Sequence, residues 1–187
     1  MCSCSSDTSN GSIKIDRELC QVCGACVKAC LPEARAVSGK LVTVDEVLDI
    51  IKKDSLFYRN SGGGVTASGG EPTYQPDFLE ELLRRCQECG LHTTLDTCGY
   101  APWPVLERIL NYVDLVLFDI KHMAPLKHQE LTGVDNRLIL SNAEKIAQIR
   151  KPVIIRMPLV PRLNDSEENI RTLAQFVITL GLSRLDL

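Results

Sequence analysis

The 187-residue sequence lacks three features that would each define a class of protein. It has no apolar run near the roughly 18 residues that span a bilayer, so we expect no membrane association. It has no run of basic residues and a net charge of −3, so nucleic-acid binding has no electrostatic basis. Its N-terminus lacks the charged-then-apolar order of a signal peptide. We therefore expect a cytoplasmic protein that binds neither membranes nor nucleic acid.

The glycine-rich stretch SGGGVTASGGEP, residues 61–72, also lacks the features of a phosphate-binding loop. A P-loop requires G-x-x-x-x-G-K-[ST], but glycine stands where that motif has lysine. A dinucleotide-binding fingerprint can be placed only on glycines that precede the predicted strand instead of opening a helix. We therefore reject both phosphate-binding interpretations of this stretch.

Cysteine, in contrast, is abundant, with nine residues in the chain. An odd number without a secretory signal argues against a disulfide framework and favours metal ligation or free thiols. Four of the cysteines form a C-x2-C-x2-C-x3-C run at Cys20, Cys23, Cys26 and Cys30. This spacing is typical of bacterial ferredoxins, and it predicts a [4Fe–4S] cluster on these residues.

The fourth ligand of this predicted cluster stays open. The proline that usually follows the fourth cysteine is displaced, because Leu31 comes before Pro32. In two-cluster ferredoxins the fourth cysteine of such a run serves the other cluster, and this chain has only one full run. Either Cys30 completes its own cluster, or Cys2 or Cys4 supplies the missing thiolate.

The character of the sequence changes near residue 42. Residues 1–41 have little periodicity and are rich in Ser, Gly and Cys, which predicts a small ferredoxin-like iron–sulfur module or a loose tail. Residues 42–187 alternate between strand-like and helix-like segments, beginning with the capping box TVDE at Thr43–Glu46. Two domains are therefore expected, 1–41 and 42–187.

The second domain has the pattern of repeated βα units. Apolar runs such as VDLVLFDI suit a parallel sheet that is buried on both faces, either a barrel or a doubly wound sheet. An eight-unit barrel uses roughly 31 residues per unit, so residues 42–187 supply between four and five units. An incomplete barrel is therefore expected. The predicted strands are 65–67, 92–96, 115–119, 153–157 and 184–187, and the predicted helices are 76–89, 104–111, 125–132, 143–149 and 166–179.

The segment Gly-Gly-Glu-Pro at residues 69–72 directly follows the first of these strands. Active sites of barrel enzymes are built from the loops at the C-terminal ends of the strands. Two glycines there allow a ligand to reach main-chain carbonyls without hindrance from a Cβ atom. Carbonyl oxygens suit an ammonium group, and Glu71 adds negative charge. A tight turn before a helix is the alternative interpretation.

Asp119 and Lys121 stand two positions apart at the end of the third predicted strand. Side chains two positions apart in a strand project from the same face. A lysine there can meet a carboxylate, and an aspartate can orient the lysine or bind a cation. A plain ion pair at the rim of the strand is the alternative interpretation.

In their order along the chain, these segments resemble the glycyl-radical enzyme activating proteins, the pyruvate formate-lyase activating enzyme group of the radical S-adenosylmethionine superfamily. The similarity extends from about residue 15 to residue 187. It rests on the ferredoxin run and on YRNSGGGVTASGGEP, LHTTLDTCGY, LVLFDIKHM, HQELTGVDN and VIIRMPLVPRLNDSEENI. The resemblance implies an α/β fold, a partial parallel (β/α) barrel of the radical SAM type preceded by the ferredoxin-like module.

The resemblance also implies which residues bind S-adenosylmethionine. The glycines and Glu71 would hold its amino group, Lys121 would face its carboxylate, and Arg156 would lie near its adenosine or near the substrate glycine. The implied set is Gly69, Gly70, Glu71, Asp96, Thr97, Asp119, Ile120, Lys121 and Arg156.

The activity that the resemblance implies is that of an oxidoreductase which generates a glycyl radical on a partner enzyme by reductive cleavage of S-adenosylmethionine. The implied partners are a glycyl-radical enzyme and a flavodoxin- or ferredoxin-like electron donor. The family holds its catalytic [4Fe–4S] cluster with C-x3-C-x2-C, which does not occur in these 187 residues. We therefore expect a chain truncated at both ends and inactive by itself. A ferredoxin-type electron-transfer module and a non-catalytic binding fragment remain as alternatives.

Overall fold

The computed structural model describes residues 5–7 and 13–187, with side chains from residue 15 onward. The chain divides into two compact units, Met1–Val42 and Thr43–Leu187. Cys2 and Cys4, the alternative ligands of the predicted cluster, lie outside the described residues.

The first unit contains a small antiparallel pair of strands and one helical turn within its described part. Strand β1, Ser5–Asp7, pairs with β2, Ile13–Ile15, and helix α1 covers only Ala25–Lys28. None of the described side chains between residues 15 and 42 is buried. A hydrophobic core therefore does not hold this part of the chain together, and the ferredoxin-like fold stays a prediction.

The second unit is built on a parallel five-stranded sheet. Its strands are β3 (Gly64–Ala67), β4 (His92–Thr97), β5 (Leu115–Asp119), β6 (Val153–Arg156) and β7 (Leu185–Asp186). They lie side by side in the order in which they occur along the chain. A doubly wound sheet would reverse this order, so the partial (β/α) barrel is confirmed. The predicted strand bounds agree with the observed ones to within one residue at either end.

Two helices of this unit precede the first strand of the sheet, and the others lie between its successive strands. They are α2 (Val44–Lys53), α3 (Ser55–Ser61), α4 (Pro76–Glu88), α5 (Trp103–Leu110), α6 (Pro125–Thr132), α7 (Arg137–Gln148) and α8 (Glu167–Thr179), and a 3-10 turn covers Pro72–Tyr74. Helix α3 and the 3-10 turn were not predicted. Within the described ranges, no helix combines the length and the apolar character that crossing a membrane requires.

Two details show how local sequence sets these helices. The capping box of α2 is confirmed, because Thr43 N donates to Glu46 Oε2 at 2.7 Å and Glu46 N donates to Thr43 Oγ1 at 3.2 Å. Helix α7 begins at Arg137, whereas the sequence predicted a start at residue 143. The early turns were missed because they include the polar residue Asn142, whose side chain is nevertheless fully buried.

The core lies between the helices and one face of the sheet. Leu95, Val116, Phe118 and Ile155 are fully buried on that face and pack against residues of α4, α5, α7 and α8. Along β5 the alternate residues are only partly buried, and they include Asp119. The expectation that both faces of the sheet are buried was therefore wrong for this chain, and the second face leaves room for polar side chains.

Candidate functional site

Charged side chains from three strands meet at the C-terminal edge of the parallel sheet. The guanidinium of Arg156, on β6, donates from Nε to Asp119 Oδ1 on β5 at 2.9 Å and from a terminal nitrogen to Asp96 on β4. Lys121 Nζ lies 2.5 Å from the other oxygen of Asp119. Two acids and two bases therefore form one continuous network across three neighbouring strands.

The register of the strands explains why these residues meet. Asp119 and Arg156 are direct partners in the pairing of β5 with β6. Asp96 pairs with Leu117, which lies two positions before Asp119 and therefore on the same face. Spacing in the sequence and the parallel register together place the charges on the half-buried face of the sheet.

The network is partly shielded from water but not closed. Side-chain exposure is 15% for Asp119 and 36% for Lys121. Lys121 has further N–H donors beside the one that meets Asp119, and Arg156 has a second terminal nitrogen beside the one that meets Asp96. The network can therefore still bind an anionic or polar ligand group without breaking its internal ion pairs.

A cavity extends this site toward β7. It has a volume of about 360 Å³ and is lined by Asp119, Arg156, Met157, Pro158, Asp186 and Leu187. A cavity of similar size between α7 and α8 has Glu144 as its single charged lining residue. The cavity at the strand ends is the better candidate for a ligand site, because its lining presents groups of both charges.

Glu71 connects the loop after β3 to the loop after β4. Its Oε1 accepts hydrogen bonds from Thr73 N at 3.2 Å, Thr73 Oγ1 at 2.7 Å and Thr97 Oγ1 at 2.7 Å. Its Oε2 accepts from Cys98 N at 2.9 Å. Burial opposes ionisation, but the hydrogen bonds from Thr97, Cys98 and Thr73 outweigh it, so the pKa of Glu71 lies below its ordinary value. Both carboxylate oxygens are thus engaged within the protein.

The backbone at Gly69 and Gly70 is open. A Cβ atom added at either position would meet nothing within 4 Å, and Gly69 has a φ of 136°, a conformation that side chains rarely adopt. The preceding residue, Ser68, donates from Oγ to Asp96 Oδ2 at 3.1 Å, which joins this loop to the charged network. Main chain without side-chain hindrance therefore lies close to Asp96.

Cys98 is a half-buried thiol beside Glu71. Burial raises the pKa of Cys98 to about 11, and the hydrogen bond with Glu71 acts in the same direction. The thiol is therefore protonated at neutral pH. A protonated thiol is a poor nucleophile and a poor metal ligand.

All nine predicted binding residues end or follow one of four neighbouring strands, β3 to β6. Contacts join Asp96, Asp119, Lys121 and Arg156 in one group, and a second group contains Glu71 and Thr97. The side chain of Ile120 is fully buried in the core, and its N–H donates to the carbonyl of Arg156 at 2.9 Å. Ile120 can therefore meet a ligand only through its main chain. The binding roles of the nine residues stay predictions.

Sequence reasoning missed four buried asparagines beside the site loops. They are Asn136, Asn142, Asn164 and Asn169. Three of them lie in the stretches HQELTGVDN and VIIRMPLVPRLNDSEENI, and the fourth interrupts the apolar face of α7. A polar residue within an otherwise apolar helix face was the signal that could have identified Asn142.

Three described cysteines of the first unit share a cavity, but they do not form a finished metal site. Cys20, Cys23 and Cys26 are among the residues that line a cavity of about 390 Å³, and Cys30 is not. Within the described residues, no three His, Cys, Asp or Glu side chains come close enough together to hold a metal ion. The thiol groups suit an iron–sulfur cluster chemically, and the ligand set stays a prediction.

A comparison with protein families gives one match, which covers most of the second unit and part of the first. The family model described as "Radical SAM superfamily" matches residues 12–174. The isethionate sulfite-lyase activating enzyme of Oleidesulfovibrio alaskensis is 45% identical over 173 residues, which are 90% of this chain and 56% of that protein. The 4-hydroxyphenylacetate decarboxylase activating enzyme of Clostridioides difficile is 40% identical over 177 residues, 92% of this chain and 56% of that protein.

The chain therefore spans about half the length of the curated relatives that it matches. Among solved structures, a domain of the pyruvate-formate lyase-activating enzyme from Bacteroides vulgatus has a TM-score of 0.63 and 36% identity. That match covers 67% of this chain and 79% of the other. Streptococcus suis SuiB bound to S-adenosylmethionine has a TM-score of 0.63 at 20% identity over 81% of this chain and 34% of the other, which shows the fold alone.

Proposed function

The chain belongs to the radical S-adenosylmethionine superfamily, and from this premise we propose that it serves the activation of a glycyl-radical enzyme. The superfamily uses a [4Fe–4S] cluster and S-adenosylmethionine. The matched relatives with high identity are named as activating enzymes of lyases and decarboxylases, which supports this activity. The proposed site for S-adenosylmethionine is the C-terminal edge of the sheet, β3 to β6.

One observation carries the proposal, namely the charged network beside an open glycine backbone. The amino-acid end of S-adenosylmethionine carries an ammonium and a carboxylate on the same carbon. Lys121 offers donors to the carboxylate, while the open main chain at Gly69 and Gly70, next to Asp96, suits the ammonium. A site that presents both charges at the ends of neighbouring strands matches a zwitterion better than it matches a simple anion.

The residues of the chain would bind and orient S-adenosylmethionine, while the redox chemistry belongs to the cluster. When bound, the reduced cluster supplies the electron for reductive cleavage of S-adenosylmethionine. Asp119 holds Lys121 and Arg156 on its two separate oxygens, so both cations keep a fixed position. Glu71 fixes the glycine loop against the end of β4 at Thr97 and against Cys98, which follows it. The 187 residues contain no C-x3-C-x2-C, so they do not supply the cysteine motif that holds the catalytic cluster in this family.

The proposal includes two protein partners. The first is a glycyl-radical enzyme, and the names of the relatives support a lyase or a decarboxylase. The second is a flavodoxin- or ferredoxin-like electron donor. The cysteine cavity of the first unit is the proposed place for an auxiliary cluster that passes electrons. A cytoplasmic location fits this set of partners.

The test is binding of S-adenosylmethionine to the purified chain and to two lysine variants. Lys121→Met removes the ammonium at the site, and Lys127→Met removes an exposed lysine on α6 that pairs with Glu130. A charge-assisted hydrogen bond contributes roughly 1.5–3 kcal/mol, so we expect K121M to weaken binding by about tenfold or more. K127M should bind like the unmodified chain. Titration calorimetry or equilibrium dialysis at millimolar ligand would measure both.

Two results would count against the proposed site. Absence of binding to the unmodified chain at millimolar S-adenosylmethionine would reject it outright. Equal affinities of K121M and K127M would show that the ligand binds elsewhere, because only Lys121 lies in the charged network.

A further inference from the structure

Four buried asparagine side chains surround the loops of the site and have no part in the proposed ligand contacts. Asn136 and Asn142 are fully buried, and Asn164 and Asn169 are 4% exposed. Buried amides are costly unless they are hydrogen-bonded, so their partners indicate what they do. Each of the four donates to at least one main-chain carbonyl, and most of those carbonyls lie in loops that follow site strands.

Asn164 joins the loop after β5 to the loop after β6. Its Nδ2 donates to the carbonyl of Lys121 and to the carbonyl of Pro158, each at 2.9 Å. Its Oδ1 accepts from Val160 N at 2.7 Å. All parts of this amide are therefore used, and the main chain of Lys121 is connected directly to the loop that follows Arg156.

Asn136 and Asn169 hold the two residues that follow Lys121. Asn136 Nδ2 donates to the carbonyls of His122 at 2.9 Å and Met123 at 2.7 Å. Asn169 Oδ1 accepts from Met123 N at 2.9 Å. The three consecutive carbonyls of residues 121 to 123 thus accept from the buried amides of Asn164 and Asn136, and the N–H of Met123 donates to a third buried amide, that of Asn169.

The chemistry explains why these positions carry asparagine. The Nδ2 of Asn136 donates to two carbonyl oxygens, and so does the Nδ2 of Asn164. Each of these carbonyl oxygens requires a hydrogen-bond donor. An aspartate of the same shape would present an acceptor there, and alanine would leave buried carbonyls without a partner. Asn169 Nδ2 also donates to the carbonyl of Asn164 at 2.8 Å, which links two of the amides.

We propose that Asn164, Asn136 and Asn169 are positioning residues that fix the main chain of Lys121, so that its ammonium stays against Asp119 and available to the ligand carboxylate. The inference rests on the proposed function, because it assigns Lys121 to that carboxylate. These asparagines act through Lys121 and do not touch the ligand themselves. A merely structural role would instead stabilise the fold without any specific coupling to Lys121.

Asn142 provides the matched control. It is equally buried, and its Nδ2 donates to the carbonyls of Gly99 and Ala101, each at 2.8 Å. Its Nδ2 therefore donates to two carbonyls, as that of Asn164 does, but Asn142 holds the loop after β4 and forms no hydrogen bond with Lys121.

The experiment is a double-mutant cycle on the full chain with S-adenosylmethionine as the ligand. Asn164→Ala and Lys121→Met are made singly and together, and the same cycle is made with Asn142→Ala. We expect N164A to lower the affinity by about tenfold in the unmodified background and to have almost no effect once K121M is present. N142A and K121M should instead lower the affinity additively. Circular dichroism and thermal melting confirm that each variant is folded.

A second measurement is independent of the ligand. Hydrogen exchange of the Met123 amide is followed by NMR in the ligand-free chain, because this N–H donates to Asn169 next to the Asn164 contact. Exchange should become faster in N164A and stay unchanged in N142A. If the unmodified chain does not bind S-adenosylmethionine, the proposed function fails, and the exchange rates alone then decide whether the asparagines fix the loop.

Three outcomes would overturn the inference itself. The first is that N164A weakens binding by the same factor with and without K121M. The second is that N164A leaves both the affinity and the Met123 exchange unchanged. The third is that neither N164A nor a replacement variant, Asn136→Ala, folds, since the asparagines would then be required for the fold instead of for positioning.

Discussion

Replacing Glu71 by glutamine tests the connection between the two loops at the start of the site. The carboxylate accepts hydrogen bonds on both oxygens, including one from Cys98 N at 2.9 Å and one from Thr97 Oγ1 at 2.7 Å. In Glu71→Gln one of these oxygens is replaced by an NH2 group. This group is a donor that faces another donor, so the hydrogen bond at that position is lost. A hydrogen bond to a charged group contributes roughly 1.5–3 kcal/mol, so we expect the free energy of unfolding to fall by about 2 kcal/mol at pH 7. For a chain of this size this corresponds to a melting temperature lower by about 4–8 °C.

The pH dependence separates this explanation from a simple packing defect. The folded-state pKa of Glu71 lies below the ordinary value of 4.5, because its hydrogen bonds outweigh the effect of burial. A lowered pKa contributes stability that is fully present above about pH 4.5 and lost as the pH falls through the folded-state value. The stability difference between the unmodified chain and E71Q should therefore be full at pH 7 and at pH 5.5, and smaller at pH 3.5.

Urea denaturation is a suitable assay, with the fluorescence of Trp103 as the signal. Trp103 is the single tryptophan of the chain, and it packs against the core at the start of α5. Glu107→Gln on the same helix is the control, because this exposed carboxylate forms no ion pair with any Lys or Arg that the structure describes. A loss of stability in E71Q that is equally large at pH 3.5 and pH 7 would refute the reasoning, and so would no loss at all.

Three further predictions concern the packing around Gly99, the iron–sulfur content of the chain and its ability to cleave S-adenosylmethionine. Gly99→Ala should lower the free energy of unfolding by about 3 kcal/mol or more, because φ is 70° and an added Cβ atom would stand 2.3 Å from buried Phe118. Gly90→Ala, with a φ of 71° and open space around it, should lower the free energy of unfolding by only about 1 kcal/mol. Equal melting temperatures of the two variants would contradict this prediction. Anaerobic reconstitution should give about one [4Fe–4S] cluster per chain, and serine at Cys20, Cys23 or Cys26 should reduce it; iron and sulfide analysis that finds two or more clusters would require other cysteines. Reductant and S-adenosylmethionine should yield no 5′-deoxyadenosine with this 187-residue chain, and chromatography that detects it above a protein-free control would require a catalytic cluster on cysteines outside C-x3-C-x2-C.

The sequence was most informative where backbone periodicity and local chemistry agree. Strand β5 was predicted with its observed bounds, because a purely apolar run ends abruptly at Asp119. The meeting of Asp96, Asp119 and Arg156 was also predictable, since each residue stands at the C-terminal end of a strand in a parallel sheet. These features follow from where each strand ends and from the parallel sheet that the sequence predicts.

The parts that escaped prediction depend on contacts between distant residues. Glu71 accepts hydrogen bonds from residues 26 and 27 positions later in the chain, and nothing in the sequence near Glu71 indicates these partners. The bond from Asn164 to the carbonyl of Lys121 spans 43 positions, and nothing local in LNDSEEN indicates its partner. Polar side chains with distant main-chain partners have no periodic signature, so only the tertiary structure identifies them.

The order of the strands has a consequence for synthesis on the ribosome. Because each strand pairs with the one made just before it, every new βα unit can dock on the growing sheet as soon as it emerges. The loop of Lys121 is an exception, since its amide partners Asn164 and Asn169 follow it by roughly 45 residues. At translation rates of about 5–20 residues per second, this loop waits several seconds for the residues that hold it. We therefore expect the nascent sheet to form before the proposed ligand site is complete, and binding to require that α8 has folded.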